Sequence, residues 1–479
     1  MSKITTFLSD MQEFFNGKSE HAATQSICNA LAGVRMSERH TLGVESRPNQ
    51  VYRLLDVFHC LLMCPFFLVK NVSAVSASPL HVLMEAGKDV FYRFMERSDI
   101  DWRKALWHIT LQMWSRICVR SEHSLDETCL IVDDTDLDKT GRRIERIGRV
   151  HSHLRHKSVL GFKMLALVVT DGFSQMLLDF ALLGEKGKKG KYGMSDKELS
   201  RRRQPKRVQT ACHGQRETEY DKSKIELVIE MVKRAISKRV RFSYLLADSW
   251  FACKELTRFI HTRRIKCHFL GMIKVGEHGR TKYDVGGTGL TAAAMVKQGK
   301  KRMKYSRRHR CHYMAYDACF GGVPVRIFLV RRTRHGQWNG LMTTNTGLGF
   351  LDAWRIYSKR WTIEVVFKDC KQHLMLGKCQ STNFAAQIAA TSICAIQYNL
   401  LSLAKRFMDY ETIGGLFREI SKETVKQSIA QQLWGKVQEI LTAVAEVYGL
   451  VDEDLYDIII NRTEQVENMF AAFNLKQAS

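Results

Sequence analysis

One stretch, YSKRWTIEVVFKDCK at 357–371, narrows the folds open to this chain more than any other. At about 100° per residue, Tyr357, Arg360, Glu364 and Lys371 fall within roughly 60° of one another on a helix. A single stripe therefore carries a tyrosine, two cations and a carboxylate. Trp361, Ile363, Val365, Val366 and Phe367 take the remaining sides, so the spacing predicts a buried helix that still carries charge. Buried charge is costly unless it is paired or binds a metal. A salt-bridge ladder on a solvated face would explain the charges alone. The apolar residues around them favour a site.

Two other apolar runs end in acids. CLIVDDT at 129–135 reads as a strand running into Asp133 and Asp134, whose side chains alternate to opposite faces. RFSYLLADSW at 241–250 reads as another, closing on Asp248, with the helix FACKELTRFIHTRR behind it. An aspartate there can also cap that helix. Carboxylates from distant segments suit metal-assisted phosphoryl transfer, because Mg2+ prefers carboxylate oxygens and keeps water. Two decoys fail on local geometry. DTDLDKTGRRIE at 134–145 has acids at the first, third, fifth and last positions of a calcium loop, but Lys139 stands where the turn needs glycine and a strand precedes it. Cys267-His268 and Cys311-His312 lack the ligand spacing of zinc sites, and strand neighbours point apart.

The charge balance indicates the partner. Lys and Arg number 74 against 49 Asp and Glu, a net +25 over 479 residues. Such a surplus implies a polyanion, nucleic acid first. It concentrates in 184–217, which holds Arg201, Arg202 and Arg203, and in KQGKKRMKYSRRHR at 297–310. The first of these is a solvated loop, an arm that tracks phosphates, or both. CLLMCPFFLV at 60–69 is too short for the roughly 20 residues of a membrane span, and no membrane is expected. MSKITTFLSDMQEFF lacks a signal-peptide core. Thirteen cysteines without framework spacing predict reduced thiols in a cytosol.

The spacing of Tyr357, Arg360, Glu364 and Lys371 resembles the signature of the insertion-sequence-four family of bacterial DDE transposases. Asp133-Asp134-Thr135-Asp136-Leu137 is similar to that family's Asp-x-Thr-x-Leu motif. The resemblance implies an α/β, RNase H-like catalytic core with a β-strand insertion domain and helical flanks. It implies Asp133, Asp248 and Glu364 as catalytic metal ligands for two Mg2+ ions, with Mn2+ able to substitute. Tyr357, Arg360 and Lys371 would contact DNA phosphates, the two cations without competing for metal. The implied activity is cut-and-paste transposition: terminal inverted repeats are bound, cleaved through DNA hairpins and joined to target DNA by a homodimer, at the nucleoid of a bacterial cytoplasm. QWNGLMTT at 337–344 resembles the strand whose tryptophan stacks a flipped base, which points to Trp338. A hairpin-packing role for Trp338 is the alternative. Other functional classes are a catalytically silent DNA-binding regulator on the same fold, which a missing carboxylate would indicate, and a structure-specific nuclease.

The expected organisation follows. Residues 1–120 form a helical DNA-end-binding domain with Arg35, Arg39, His40 and Arg47 crowding a connection, or a helical cap with surface arginines. Residues 121–263 form the first part of the core, including a three-strand meander and the basic loop 184–217. Residues 264–346 are the insertion, 347–380 the last part of the core with the signature helix. Residues 381–479 are helical and serve dimer contacts or packing within the chain.

Overall fold

Helical periodicity carries the chain through Ala22–Ala32 (α1), Leu54–Met63 (α2), Lys88–Met95 (α3) and Trp102–Val119 (α4). The apolar stripe of α4, with Trp102, Leu106, Ile109, Met113 and Ile117, is buried. Arg35, Arg39, His40 and Arg47 are all exposed in the connection between α1 and α2. The computed structural model describes residues 22–426 apart from 79, 120–126, 153–154, 188–189, 207–208, 263–266, 277–278, 334 and 409. The chain divides into two compact units, 1–420 and 421–479, and the elements named here belong to the first. The part of the expected helical region 381–479 beyond residue 426 lies outside the described residues.

After the N-terminal helices the period changes from helical to alternating. Cys129–Asp138 (β1), Gly148–Ser152 (β2), Lys157–Thr170 (β3) and Gln175–Leu183 (β4) follow as strands. β3 pairs antiparallel with both β1 and β4, giving the expected meander, and β2 adds to the outer part of β3. Two helices come next, Ala211–Glu219 (α5) and Lys224–Ser237 (α6). Ser223 and Glu226 close a capping box at the start of α6, satisfying donors that a helix end leaves unpaired. Tyr244–Ala247 (β5) then lies parallel to β1, and His268–Ile273 (β6) parallel to β5, with Lys254–His261 (α7) as the crossover between them.

The strands from 282 to 343 do not form a separate sheet. They are Lys282–Val285 (β7), Thr288–Thr291 (β8), Lys304–Ser306 (β9), Cys311–Phe320 (β10), Val323–Arg331 (β11) and Asn339–Thr343 (β12). β12 pairs antiparallel with β6, so the order β2-β3-β1-β5-β6-β12-β11-β10-β7-β8 runs through one twelve-stranded sheet. The chain returns through Phe350–Ser358 (α8) and Thr362–His373 (α9) to Phe384–Arg406 (α10). Among the described helices, α10 alone has the length and apolarity to cross a membrane. It is instead packed inside the protein, as NFAAQIAATSICAIQYNLLSLAKRF suggests: nearly every residue from Phe384 to Ala404 is buried. Asn399 shows how this helix closes the outer edge of β4. Its Nδ2 donates to Leu177 O and Thr110 Oγ1, both at 2.9 Å, and its Oδ1 accepts from Leu177 N at 2.8 Å. One buried amide so covers an open strand edge and ties it to α4.

Candidate active site

The register of two parallel strands builds the first half of the site. Val132 of β1 lies opposite Ala247 of β5, so the next residues along, Asp133 and Asp248, continue side by side. Parallel neighbours in register point to one face, with strands about 4.8 Å apart. Asp133 is not at a strand end as its sequence setting suggested, because β1 runs on to Asp138. Asp248 follows the last residue of β5. Its Oδ1 accepts from the backbone N–H of Trp250 at 2.8 Å and Phe251 at 3.4 Å, which holds the turn leaving the strand. Capping of the following helix is done by Cys253 instead, so that alternative role for Asp248 falls away.

The third carboxylate arrives on α9. The stretch 357–371 is not one continuous helix: α8 ends at Ser358, and Lys359–Trp361 makes a single 3₁₀ turn before α9. A 3₁₀ turn advances about 120° per residue rather than 100°. The apolar wrapping expected around the stripe is therefore incomplete, and Trp361 is 63% exposed. Ile363, Val366 and Phe367 are buried as the pattern predicts. The polar residues still converge. Arg360 Nη1 donates to Asp133 Oδ2 at 2.9 Å and Nη2 to Glu364 Oε1 at 2.5 Å, joining β1 to α9. Tyr357 OH donates to Ala247 O at 3.3 Å, against the residue before Asp248. Lys371 Nζ donates to Thr135 Oγ1 at 2.7 Å, two residues beyond Asp133 on the same face.

Burial dominates the electrostatics of Asp133. Burial pushes its carboxyl up to about 7, with Asp248 and Asp134 adding to the rise, against the Asp134 amide and the Arg360 guanidinium. Burial also raises the Tyr357 hydroxyl, and the Asp248 and Asp133 charges act on it in the same direction. Lys371 is pulled down by burial, opposed by Asp136 and Asp138. A cation placed beside a buried carboxyl that neighbours a second carboxylate favours its ionised form. Oxygen-only donors of this kind fit Mg2+ or Mn2+ better than softer metals, and the guanidinium already spanning Asp133 and Glu364 shows that these two oxygens accept a shared cation.

Alternation sends Asp134 and Asp136 to the other face, as the sequence implied. There Lys163, itself buried, bonds Asp136 and His151 O and lies 3.5 Å from Asp134, while Lys224 reaches Asp134 at 3.0 Å. These acids are consumed by ion pairs within a strand, so the segment at 134–145 is no calcium loop. Among the described residues, one group offers three possible metal-ligand atoms within 4.8 Å of each other, and it lies elsewhere: Glu145, His213 and Glu217. Glu145 Oε2 accepts from Phe384 N at the start of α10, and Arg146 Nη2 lies 3.5 Å from Glu217. Arg146 and the Phe384 amide already engage two of its three carboxylate and imidazole groups.

Trp338 precedes β12, two strands over from β5, with its ring under the Arg331 guanidinium at 4.8 Å and half-buried. Two exposed tryptophans lie nearer in sequence to the acids: Trp361, three residues before Glu364, and Trp250, two after Asp248, 47% exposed, with Lys224 Nζ over its ring. Sequence reading missed Trp250, although an aromatic in a turn directly after a candidate ligand was a usable signal. The basic stretch 184–217 is partly structured. It contains a capped helical turn at Asp196–Leu199 and most of α5. Arg202 folds over Tyr192 at 5.1 Å, and Arg203 Nη1 donates to Thr382 Oγ1 at 3.0 Å. Arg201 and Arg203 are exposed.

Asp133 thus lies on β1 and Asp248 at the end of the neighbouring β5, with Glu364 on a helix tied to Asp133 through Arg360. Residues 61–271 match the family described as DDE superfamily endonuclease, and residues 206–400 match the family described as Transposase DDE domain. The two matches overlap at 206–271 and each spans less than half of the chain, whose mixed α/β sheet with helices is consistent with a DDE nuclease fold. A solved structure, the cryo-EM structure of piggyBac transposase synaptic complex with hairpin DNA, aligns over 96% of this chain and 85% of its own, at 12% identity and a TM-score of 0.43. No curated protein matches the chain.

Proposed function

We propose that this chain is a cut-and-paste DNA transposase of the insertion-sequence-four kind, with an RNase H-like core, and that Asp133, Asp248 and Glu364 are its catalytic metal ligands. The observation that carries the reading is the parallel pairing of β1 with β5, which aligns Asp133 with Asp248 while Arg360 links Asp133 to Glu364. The strand order β4-β3-β1-β5-β6, an antiparallel meander followed by two parallel strands, supports the RNase H-like assignment. The two Mg2+ ions such a site takes supply an activated attacking oxygen and a stabilised leaving oxygen.

The chain's own residues supply position and charge. Arg360 and Lys371, on either side of Glu364, bind phosphate oxygens through charge-assisted hydrogen bonds. Tyr357 anchors the turn against the end of β5. Exposed polar and charged groups extend the DNA path: Arg35, Arg39, His40 and Arg47 near the N-terminal helices, and Lys304, Arg307, Arg308 and Arg310 around β9. On this reading a homodimer holds two element ends, the ends are released through hairpins, and the 3′ hydroxyls are joined to target DNA. The test begins with the DNA flanking the gene. Inverted repeats close to both ends, bound by the purified protein and nicked at their outer boundary in Mg2+, support the proposal. Absence of repeats together with cutting of unrelated branched DNA would replace it with a structure-specific nuclease.

A further inference from the structure

The guanidinium of Arg360 lies between carboxylates from two different elements, bonded to Asp133 Oδ2 on one side and Glu364 Oε1 on the other. Its side chain is only 14% exposed, and the 3₁₀ turn Lys359–Trp361 holds it there. A cation shared by Asp133 and Glu364 would compete for these oxygens, because the other Asp133 oxygen already accepts from Asp134 N at 2.9 Å. A guanidinium cannot leave by losing a proton in a protein, so it leaves only by moving. A divalent ion brought to oxygens already bonded to it meets a like charge at close range. The sequence suggested that Arg360 binds phosphate without competing for metal; the geometry points the other way.

We propose that Arg360 is an internal counter-ion that keeps Asp133 and Glu364 closed to divalent metal until a DNA phosphate draws its guanidinium away, so that metal and DNA load the site together. The inference rests on the reading of Asp133 and Glu364 as metal ligands. No bond is made or broken. The two carboxylates exchange a guanidinium for a metal, and the guanidinium exchanges two carboxylates for phosphate oxygens, which its planar fork binds equally well. Site coupling is reciprocal: whatever factor DNA adds to metal affinity, metal adds to DNA affinity. A protein so arranged would not carry loaded metal, and hence cutting power, away from DNA.

The test is Mn2+ binding by the full-length chain, read from the electron paramagnetic resonance signal of free Mn2+, without DNA and with a short duplex taken from the DNA flanking the gene. Without DNA, Arg360→Gln should bind Mn2+ roughly tenfold more tightly than the natural chain, inside the about 5–150-fold range usual for coupled sites. Adding Asp133→Asn should remove that gain. The duplex should raise the affinity of the natural chain and leave Arg360→Gln unchanged. Equal Mn2+ affinity in the natural chain and Arg360→Gln, with both weakened by Asp133→Asn, would overturn the counter-ion role and leave the metal site standing. Binding indifferent to Asp133→Asn throughout would overturn the metal site itself. Should Arg360→Gln not fold, Arg360→Lys, whose compact ammonium cannot fork to both carboxylates, should give a smaller gain, and no gain in that variant would equally overturn the role.

Discussion

Replacing Asp133 by asparagine should make the metal-free protein less sensitive to rising pH. The Asp133 carboxyl sits at about 7 in the folded chain against an ordinary 3.8, chiefly because it is buried. The folded protein therefore binds a proton there that the unfolded chain releases, and stability falls as pH climbs from about 4 to above 7. A rise of that size corresponds to about 4 kcal/mol once the group is fully ionised. At pH 5 the penalty is only partly developed; by pH 8 it is nearly complete, so the natural chain should lose about 2–3 kcal/mol over this interval through Asp133 alone. The amide of the variant has no charge to bury and should be free of this loss. The interaction with Arg360 is already counted in that shift, because the guanidinium lowers the folded-state value, so the net gain at pH 8 should be about 2–4 kcal/mol. Urea unfolding followed by intrinsic fluorescence, in chelator at pH 5 and pH 8, measures it. Parallel pH profiles for the two proteins, or a lower midpoint for the variant at pH 8, would refute the burial argument.

Other perturbations separate the parts of the molecule. Arg201→Ala with Arg203→Ala should flatten the slope of log DNA affinity against log salt, since both are exposed and each phosphate contact releases counterions; an unchanged slope would make that stretch an ordinary solvated segment. Lys163→Met should destabilise the protein by about 3–5 kcal/mol, because it removes the buried cation between Asp134 and Asp136, leaving Asp136 with Ser152 and Asp134 with Lys224; calorimetry showing a near-neutral effect would mean the pair relaxes to solvent. Trp338→Ala should spare first-strand nicking and reduce hairpin product on a denaturing gel of labelled element ends, base stacking being worth about 1–3 kcal/mol. Equal loss of both products, or normal hairpins, would assign the ring to packing under Arg331.

Much of the catalytic region was legible because it depends on local pattern. Apolar runs ending in Asp133 and Asp248 became β1 and β5, and FACKELTRFIHTRR behind Asp248 became α7. The serine and glutamate three apart at 195 and 198 were a readable helix start inside a stretch whose composition reads as a loop. What the pattern could not carry was pairing at a distance. Nothing local tells β6 to accept β12 and so draw the strands of 282–343 into the same sheet. Nor does a stripe of Tyr, Arg, Glu and Lys reveal that the arginine reaches across to β1, or that a 3₁₀ turn leaves Trp361 facing outward. Those outcomes are fixed by tertiary contacts, which override single-residue periodicity.

Metal-dependent cleavage by single-carboxylate variants bears most directly on the function. Labelled duplexes carrying the flanking inverted repeats are incubated with the natural chain, Asp133→Ala, Asp248→Ala and Glu364→Ala, in Mg2+ and in Mn2+, and end binding is measured in parallel by gel shift. The natural chain should cut at the repeat boundary, and each variant should lose cutting in both metals while holding most of its affinity for the ends. Full cleavage by any one variant would remove that residue from the metal site, and full cleavage by all three would contradict catalysis by Asp133, Asp248 and Glu364 altogether.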